Sequence, residues 1–306
     1  MIVDLKKEII AIRELLNLTQ SELANLIKVS YETINRWESE KNDVEDYNVE
    51  KVYSFAFKNK IYINKIYEQL YKENESNTNK VLFHGCKQKI TFPLDLLHSK
   101  PNNDFGIAFY MGENLKQAST YICNSSSSKV YAFNLNISNL KIKRFDVSRE
   151  WMLAIAYYRG WIENYKNHKI IQKIIDDVNS NDVIIAPIAD NKMFDIISEF
   201  VRGEITDLQC EHALAATNLG MQYVLRTKNA LNNISLISLC YISTPEKEAC
   251  IKERLDMNSL CQDKVKIARI EYRGKGHYID ELLKWGNWII TNLNFVKYWE
   301  GYLKNQ

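Results

Sequence analysis

Residues 104–122 read DFGIAFYMGENLKQASTYI, and how they are read decides the fold. The Phe105-Gly106 pair makes a turn, and the apolar run IAFYMG that follows is a strand carrying the aromatic pair Phe109-Tyr110. Upstream, VLFHGCK (81–87) is a second short strand that runs into a histidine followed at once by glycine, His84-Gly85. Further β-type runs follow at KVYAFNLNI (129–137), LKIKRFDV (140–147), DVIIAPIA (182–189) and MQYVLRT (221–227). A long aromatic-rich helical region covers 149–178, a further helix covers 204–218, and the last 65 or so residues return to helical spacing. These alternations predict an α+β fold.

Residues 4–70 show helical periods and no strand pattern. The polar stretch YKENESNTNK (71–80) lacks apolar periodicity and reads as a linker. The expected organisation is a small all-α domain (1–70), a linker (71–79), a second domain (80–239) and a C-terminal helical extension packed on it (240–306). Within the first segment, Ile9, Ile12, Leu15 and Leu16 form an apolar helix face. Thr19 is a good N-cap, with Glu22 three residues on to close a capping box. Leu23, Ala24 and Ile27 face inward, Val29 fills a turn, and Ser30 caps a second short helix bearing Ile34 and Trp37. Two short helices joined by a tight turn make a helix-turn-helix.

Thr19-Gln20, Leu23-Ala24, Val29-Ser30, Thr33-Ile34 and Arg36-Trp37-Glu38 closely resemble the phage-repressor (Cro/C1, XRE) type of helix-turn-helix. The resemblance implies that Gln20 and Arg36 touch phosphates, while Tyr31, Glu32, Thr33 and Asn35 face base edges in the major groove of DNA. Glu40 stands where that type usually has glycine. A module kept for dimerisation or protein docking is the alternative.

Composition sets limits on both readings. The net charge of +2 predicts no strong affinity for polyanions, and the first 75 residues hold 11 Lys and Arg against 14 Asp and Glu. A nucleic-acid role there must therefore rest on a local patch. Six cysteines without a CxxC pair argue against a zinc site or a disulfide framework, and point to reduced, mostly buried thiols. No run approaches a membrane span, and the start MIVDLKKEIIAIRELL is an amphipathic helix with acids rather than a signal peptide, so cytoplasmic residence is expected. No GxGxxG or GxxxxGK loop is present, which disfavours Rossmann and triphosphatase readings.

LFHGCK and DFGIAFYMGENLKQASTYI together resemble the ADP-ribosyltransferase superfamily, on the branch shared with diphtheria toxin and the poly(ADP-ribose) polymerases. Within it, the pattern DFG…FY and the later segment IIAPIAD (184–190) are similar to an uncharacterised bacterial family, the DUF3990 type. The resemblance implies a split β-sandwich with flanking helices and NAD as co-substrate. By that resemblance His84 holds the adenosine-side ribose and the Gly85 backbone bonds the nicotinamide amide. Phe105-Gly106 forms the turn, Tyr110 stacks on nicotinamide, and Tyr121 closes the other face from a helix.

The same resemblance calls for an acid at the start of a later strand, bonding the ribose 2′-hydroxyl. Gln222, in GMQYVLRTKNAL, occupies that place, so glutamine stands where the branch has glutamate. This departure disfavours chain elongation and favours transfer of a single ADP-ribose, or an inactive NAD-binding domain. Gln209-Cys210-Glu211 is the competing candidate, although it falls inside a helical pattern and precedes the strand. Asp190 suits either a base or a helix cap, Asp104 the organisation of the Phe-Gly turn, and Arg144, Arg202 and Arg226 either NAD phosphates or surface charge. KVKIARIEYRGKGHY (264–278) has a basic and aromatic texture that suits nucleic acid, or packing against the core.

The implied protein is a mono-ADP-ribosyltransferase, a toxin or phage-defence effector, that passes ADP-ribose to a macromolecule, with nucleic acid among the possible acceptors. DNA, an antitoxin or a second copy are the implied partners, and no metal is called for. Two alternatives stand beside it: a transcription regulator whose inactive domain senses NAD or ADP-ribose, and an NAD glycohydrolase.

Overall fold

The computed structural model describes residues 5–39, 44–97, 99–127, 129–216 and 219–284. Glu40, and Trp285, Trp288, Tyr298, Trp299 and Tyr302 of the expected C-terminal extension, lie outside the described residues. The chain is α+β and forms two compact units. One comprises Met1–Leu94, Met111–Asn139 and Asn232–Met257. The other comprises Asp95–Tyr110, Leu140–Leu231 and the chain from Asn258 on. Among the described residues the strands are β1 (Asn79–Gly85), β2 (Phe109–Gly112), β3 (Lys129–Asn136), β4 (Ile142–Arg144), β5 (Val183–Pro187), β6 (Met221–Leu225) and β7 (Ile234–Tyr241).

The first unit opens with five helices, α1 (Lys6–Leu16), α2 (Gln20–Ile27), α3 (Tyr31–Ser39), α4 (Asp46–Lys58) and α5 (Ile63–Lys72). Their shared core is Ile9, Ile12, Leu23, Ala24, Ile27, Ile34, Trp37, Val49, Val52 and Ala56, with Tyr241 of β7 among them. Leu15, expected on the inner face of α1, is instead 65% exposed, because the inward stripe of that helix runs through Leu5, Ile9 and Ile12. The capping box forms as the sequence predicts: the Thr19 hydroxyl accepts from the Glu22 amide, and the Glu22 carboxylate accepts from the Thr19 amide.

Residues 73–78 are tied back to β1. The Glu75 carboxylate accepts from the Val81 amide at 2.8 Å and the Ser76 hydroxyl from the Asn79 amide at 3.0 Å. The strands of this unit run β2-β1-β3-β7. β1 and β3 are antiparallel from Asn79↔Asn136 to Gly85↔Val130, and β3 and β7 are antiparallel with an irregularity between Ala132 and Phe133. Both β1 and β3 have neighbours on each side, which suits the unbroken apolar runs Val81-Leu82-Phe83 and Val130–Phe133. The helix α6 (Leu115–Ile122) packs on β1 through Leu115, Ala118 and Ile122.

In the second unit the strands run β4-β5-β6-β2, with β2 entering through Phe109 and Tyr110. β4 and β5 are parallel; β5 and β6 are antiparallel. The expected single helical stretch at 149–178 is two helices, α7 (Arg149–Tyr158) and α8 (Lys169–Asn179), with a 3-10 turn at Glu163–Tyr165. The break falls at Gly160, whose φ of +74° a helix cannot use. Trp151 to Ala156 are all buried, so α7 is apolar all round and lies inside the unit. α8 instead buries one stripe, Ile171, Ile174, Ile175 and Val178. The remaining helices are α9 (Asn191–Val201), α10 (Asp207–Ala215), α11 (Lys228–Asn232), α12 (Thr244–Glu271) and α13 (Ile279–Lys284).

Candidate functional site

In the helix-turn-helix, Glu38 is the hub. Its carboxylate takes the Arg13 guanidinium at 2.5 and 3.0 Å, and the Gln20 amide at 2.7 Å. Burial works against ionisation of Glu38, yet these donors hold its carboxyl below the ordinary range. Glu38 therefore clamps α3 to the end of α1 and the start of α2. Asn35 donates in turn to Gln20 at 3.4 Å, and the Thr33 hydroxyl lies 3.1 Å from that of Ser30. Of the residues expected at DNA, Tyr31, Glu32, Asn35 and Arg36 line the exposed side of α3, while Gln20 and Thr33 are half-buried.

At the end of β1, His84 is half-buried and Gly85 is buried. A Cβ at Gly85 would lie 2.3 Å from the Ala118 carbonyl oxygen, so glycine is what lets β1 approach α6 this closely. Tyr121, on the same helix, is 65% exposed, and the Lys87 ammonium lies 5.2 Å from its ring centroid. His84, Gly85 and Tyr121 thus belong to one unit, on a strand end and the helix packed against it.

The second unit holds two hydrogen-bonded sets that meet at the Asp104-Phe105 peptide: Phe105, Gly106 and Tyr110 in one, Asp104 and Gln222 in the other. The Tyr110 hydroxyl donates to the Gly106 carbonyl at 2.7 Å and accepts from the Phe105 amide at 3.1 Å, which ties the Phe-Gly turn to β2. Burial pushes that hydroxyl well above its usual pKa. Tyr110 therefore has its ring, rather than a titratable oxygen, to offer a ligand. Gly106 has a φ of +74°, and a Cβ there would press on the Tyr158 ring at 3.0 Å. Phe105 is fully buried and stacks on Phe145 with centroids 5.6 Å apart.

Gln222 is 7% exposed at the start of β6. Its amide nitrogen donates to the Asp104 carboxylate at 3.1 Å and to the Pro187 carbonyl at 3.1 Å. Both partners are acceptors only, so the orientation of the amide is unambiguous. The other Asp104 oxygen takes the Arg159 guanidinium at 2.8 Å, and that guanidinium lies 3.4 Å from the centroid of the Phe194 ring. Beside this chain, Arg226 donates to the Tyr158 hydroxyl at 3.1 Å and to Asn179 at 2.9 Å.

The competing candidates have other work. Gln209 is the N3 residue of the α10 capping box with Thr206 and also donates to the Arg269 carbonyl at 2.8 Å. Asp190 caps α9, accepting from the Met193 amide at 2.9 Å. Arg202 pairs with Glu204 at 2.6 Å, and Arg144 lies 3.9 Å from Asp146. In the basic and aromatic segment, Arg269 pairs with Glu199 at 2.6 Å and Tyr272 stacks on His212, which is the behaviour of a packing surface.

Sequence reasoning missed three things. Arg159 and the Pro187 carbonyl lie far along the chain from Asp104 and Gln222 and carried no local signal. β7 was not foreseen, because ISLISLCY repeats in threes and does not alternate apolar with polar residues. The third is the seam between the helical bundle and β7, all within the first unit. There Asn64 of α5 donates to the Tyr241 carbonyl at 2.7 Å and to Glu246 at 2.9 Å. Glu50 of α4 accepts from the Tyr241 hydroxyl at 3.0 Å and the Thr244 amide at 2.9 Å. Among the described residues no group of His, Cys, Asp and Glu could hold a metal ion, and no helix is long and apolar enough to cross a membrane.

Comparison with known proteins finds two matching segments. Residues 9–52 match the helix-turn-helix family, which supports DNA binding by that segment. Residues 80–236 match the family described as protein of unknown function, DUF3990. No curated protein and no solved structure matches the chain. Since the second match covers more than half of the sequence, from β1 into β7, the chain belongs to the DUF3990 family and carries a helix-turn-helix ahead of that domain.

Proposed function

We propose that the protein is an NAD-dependent mono-ADP-ribosyltransferase that acts on a macromolecule and carries its own DNA-binding module. One observation supports this most: Tyr110 ties down the Phe105-Gly106 turn, and Gln222, more than a hundred residues further along the chain, bonds the Asp104 carboxylate immediately before that turn. Phe105, Gly106, Tyr110 and Gln222 are residues that the resemblance to the ADP-ribosyltransferases singles out for the nicotinamide end of NAD. The reading further requires His84, Gly85 and Tyr121 to meet the same NAD molecule.

In this reaction the bond between the ribose C1′ and the nicotinamide nitrogen breaks, and nicotinamide leaves with the electron pair. The ribose passes through an oxocarbenium-like state, and the acceptor's nucleophile bonds to C1′ from the opposite face. Catalysis of this kind needs rigid placement of the ring and negative potential near C1′ more than it needs a strong base. A turn locked by Tyr110 and a glutamine locked between two acceptors supply rigidity.

A second reading has its own observation. Gln222 is neutral where the branch carries glutamate, which suits a regulator whose domain binds NAD or ADP-ribose without cleaving it. Purified protein incubated with labelled NAD, alone and with separate DNA, RNA and protein pools, separates the possibilities. Label on one pool, lost in His84→Ala and Gln222→Ala, is expected of the transferase. Nicotinamide release without labelling would make it a glycohydrolase, and NAD binding without release a sensor.

A further inference from the structure

We infer that Asp104 is the charged positioning residue of this site and acts through Gln222, so that an Asp-Gln pair does the work for which the resemblance calls on a single glutamate. The inference rests on the transferase reading above. It explains why residue 222 is not glutamate in this chain. A carboxylate at 222 would stand against Asp104, where the amide nitrogen now lies at 3.1 Å, and it would face the Pro187 carbonyl with no proton to give. Like charges at that separation cannot both ionise without a large cost. Glutamine removes the conflict and satisfies both acceptors at once.

The consequence for Gln222 is directional. Both protons of its amide are committed to Asp104 and Pro187, which leaves Oε1 as the atom through which it can receive a ribose hydroxyl. A carboxylate bonded to the amide nitrogen draws electron density toward that oxygen and strengthens it as an acceptor. Asp104 is 8% exposed and is held from its other side by Arg159, so its position does not depend on solvent. It also immediately precedes Phe105, whose amide bonds Tyr110, so the same carboxylate links the residue expected at the ribose to the turn expected at the nicotinamide. Asp104 itself touches no reacting atom in this scheme.

The test uses the full chain and four proteins: wild type, Asp104→Asn, Gln222→Glu, and the swap that combines both changes. Nicotinamide release gives kcat and KM for NAD across pH, and thermal melting reports the fold. Asp104→Asn should lower kcat about 10- to 100-fold while KM moves little. Gln222→Glu should gain activity only toward higher pH, as the crowded carboxylate pair ionises. The swap restores one carboxylate and one amide in reversed order and should recover at least about tenfold of what Asp104→Asn loses.

A purely structural Asp104 would lower the melting temperature without separating kcat from KM, and the swap would not restore kcat. Either of these results, or an Asp104→Asn enzyme with wild-type kcat, overturns the inference. Should Asp104→Asn not fold, Asp104→Glu takes its place: loss of kcat in a folded protein upholds the role of the carboxylate's position, and full activity overturns it. A wild-type protein that releases no nicotinamide removes the transferase reading and this inference together. An active wild type whose Asp104 variants are unchanged removes this inference alone.

Discussion

Asn64 of α5 and Tyr241 of β7 lie 177 residues apart and meet through a buried 2.7 Å hydrogen bond from the Asn64 amide to the Tyr241 carbonyl. The same amide reaches Glu246, and burial pushes that carboxyl up to about 7 from an ordinary 4.5, against the hydrogen bond from Asn64. Between those two values the folded chain holds a proton that the unfolded chain has released. Stability should therefore fall as pH rises from about 4.5 to 7, by up to about 3 kcal/mol, and level off above that. Urea unfolding at a series of pH values would show the slope, and Glu246→Gln should flatten it.

Removing the partner of a buried carboxylate should be costly in the second unit as well. Arg159→Ala leaves Asp104 without its cation, and about 3 kcal/mol of stability should be lost. Asp104→Asn combined with Arg159→Ala should cost less than Arg159→Ala alone, because no buried charge is then stranded. Chemical denaturation of the single and double variants checks the order.

Gly85 should be intolerant for a reason separate from ligand binding. Gly85→Ala puts a methyl group against the Ala118 carbonyl and should destabilise the fold by about 1–3 kcal/mol. Because the clash is internal, the loss should be the same with and without NAD. A loss seen only in the presence of NAD would mean that β1 and α6 yield to the methyl group.

On the exposed side of α3, Tyr31→Ala and Asn35→Ala should weaken binding to a preferred DNA sequence by about 1–3 kcal/mol and have little effect on random DNA. Arg36→Ala should weaken both alike and lower the salt dependence by about one counterion. Salt titrations with the preferred site and with scrambled duplex distinguish the two behaviours.

Much of this is legible in the sequence. The Thr19-Glu22 box, the Ser30 cap and the buried Ile34 and Trp37 follow from local pattern because each depends on neighbours within one or two turns. The strands at VLFHG, KVYAFNLN and VIIAP were readable for the same reason. What was hidden is pairing over distance. Nothing near Asp104 announces Gln222 or Arg159, and nothing near Asn64 announces Tyr241. Leu15 misled because apolar periodicity gives the width of a stripe but not which edge of it the neighbouring helices cover. The break at Gly160 could have been inferred from the glycine itself, yet the aromatic residues around it carried the helical pattern across.

The seam that joins the helical bundle to β7 bears on how the protein can be dissected. A deletion that discards the first 72 residues would strip Tyr241 of the cluster that buries it and rob Glu246 of its amide donor. Such a truncated gene product would report on misfolding, whatever its phenotype, and its silence in a cell would say nothing about whether operator binding matters. Separating DNA binding from the role of the DUF3990 domain by genetics has to be done with point changes on the outer side of α3, where no side chain of the sheet is asked to give up a partner.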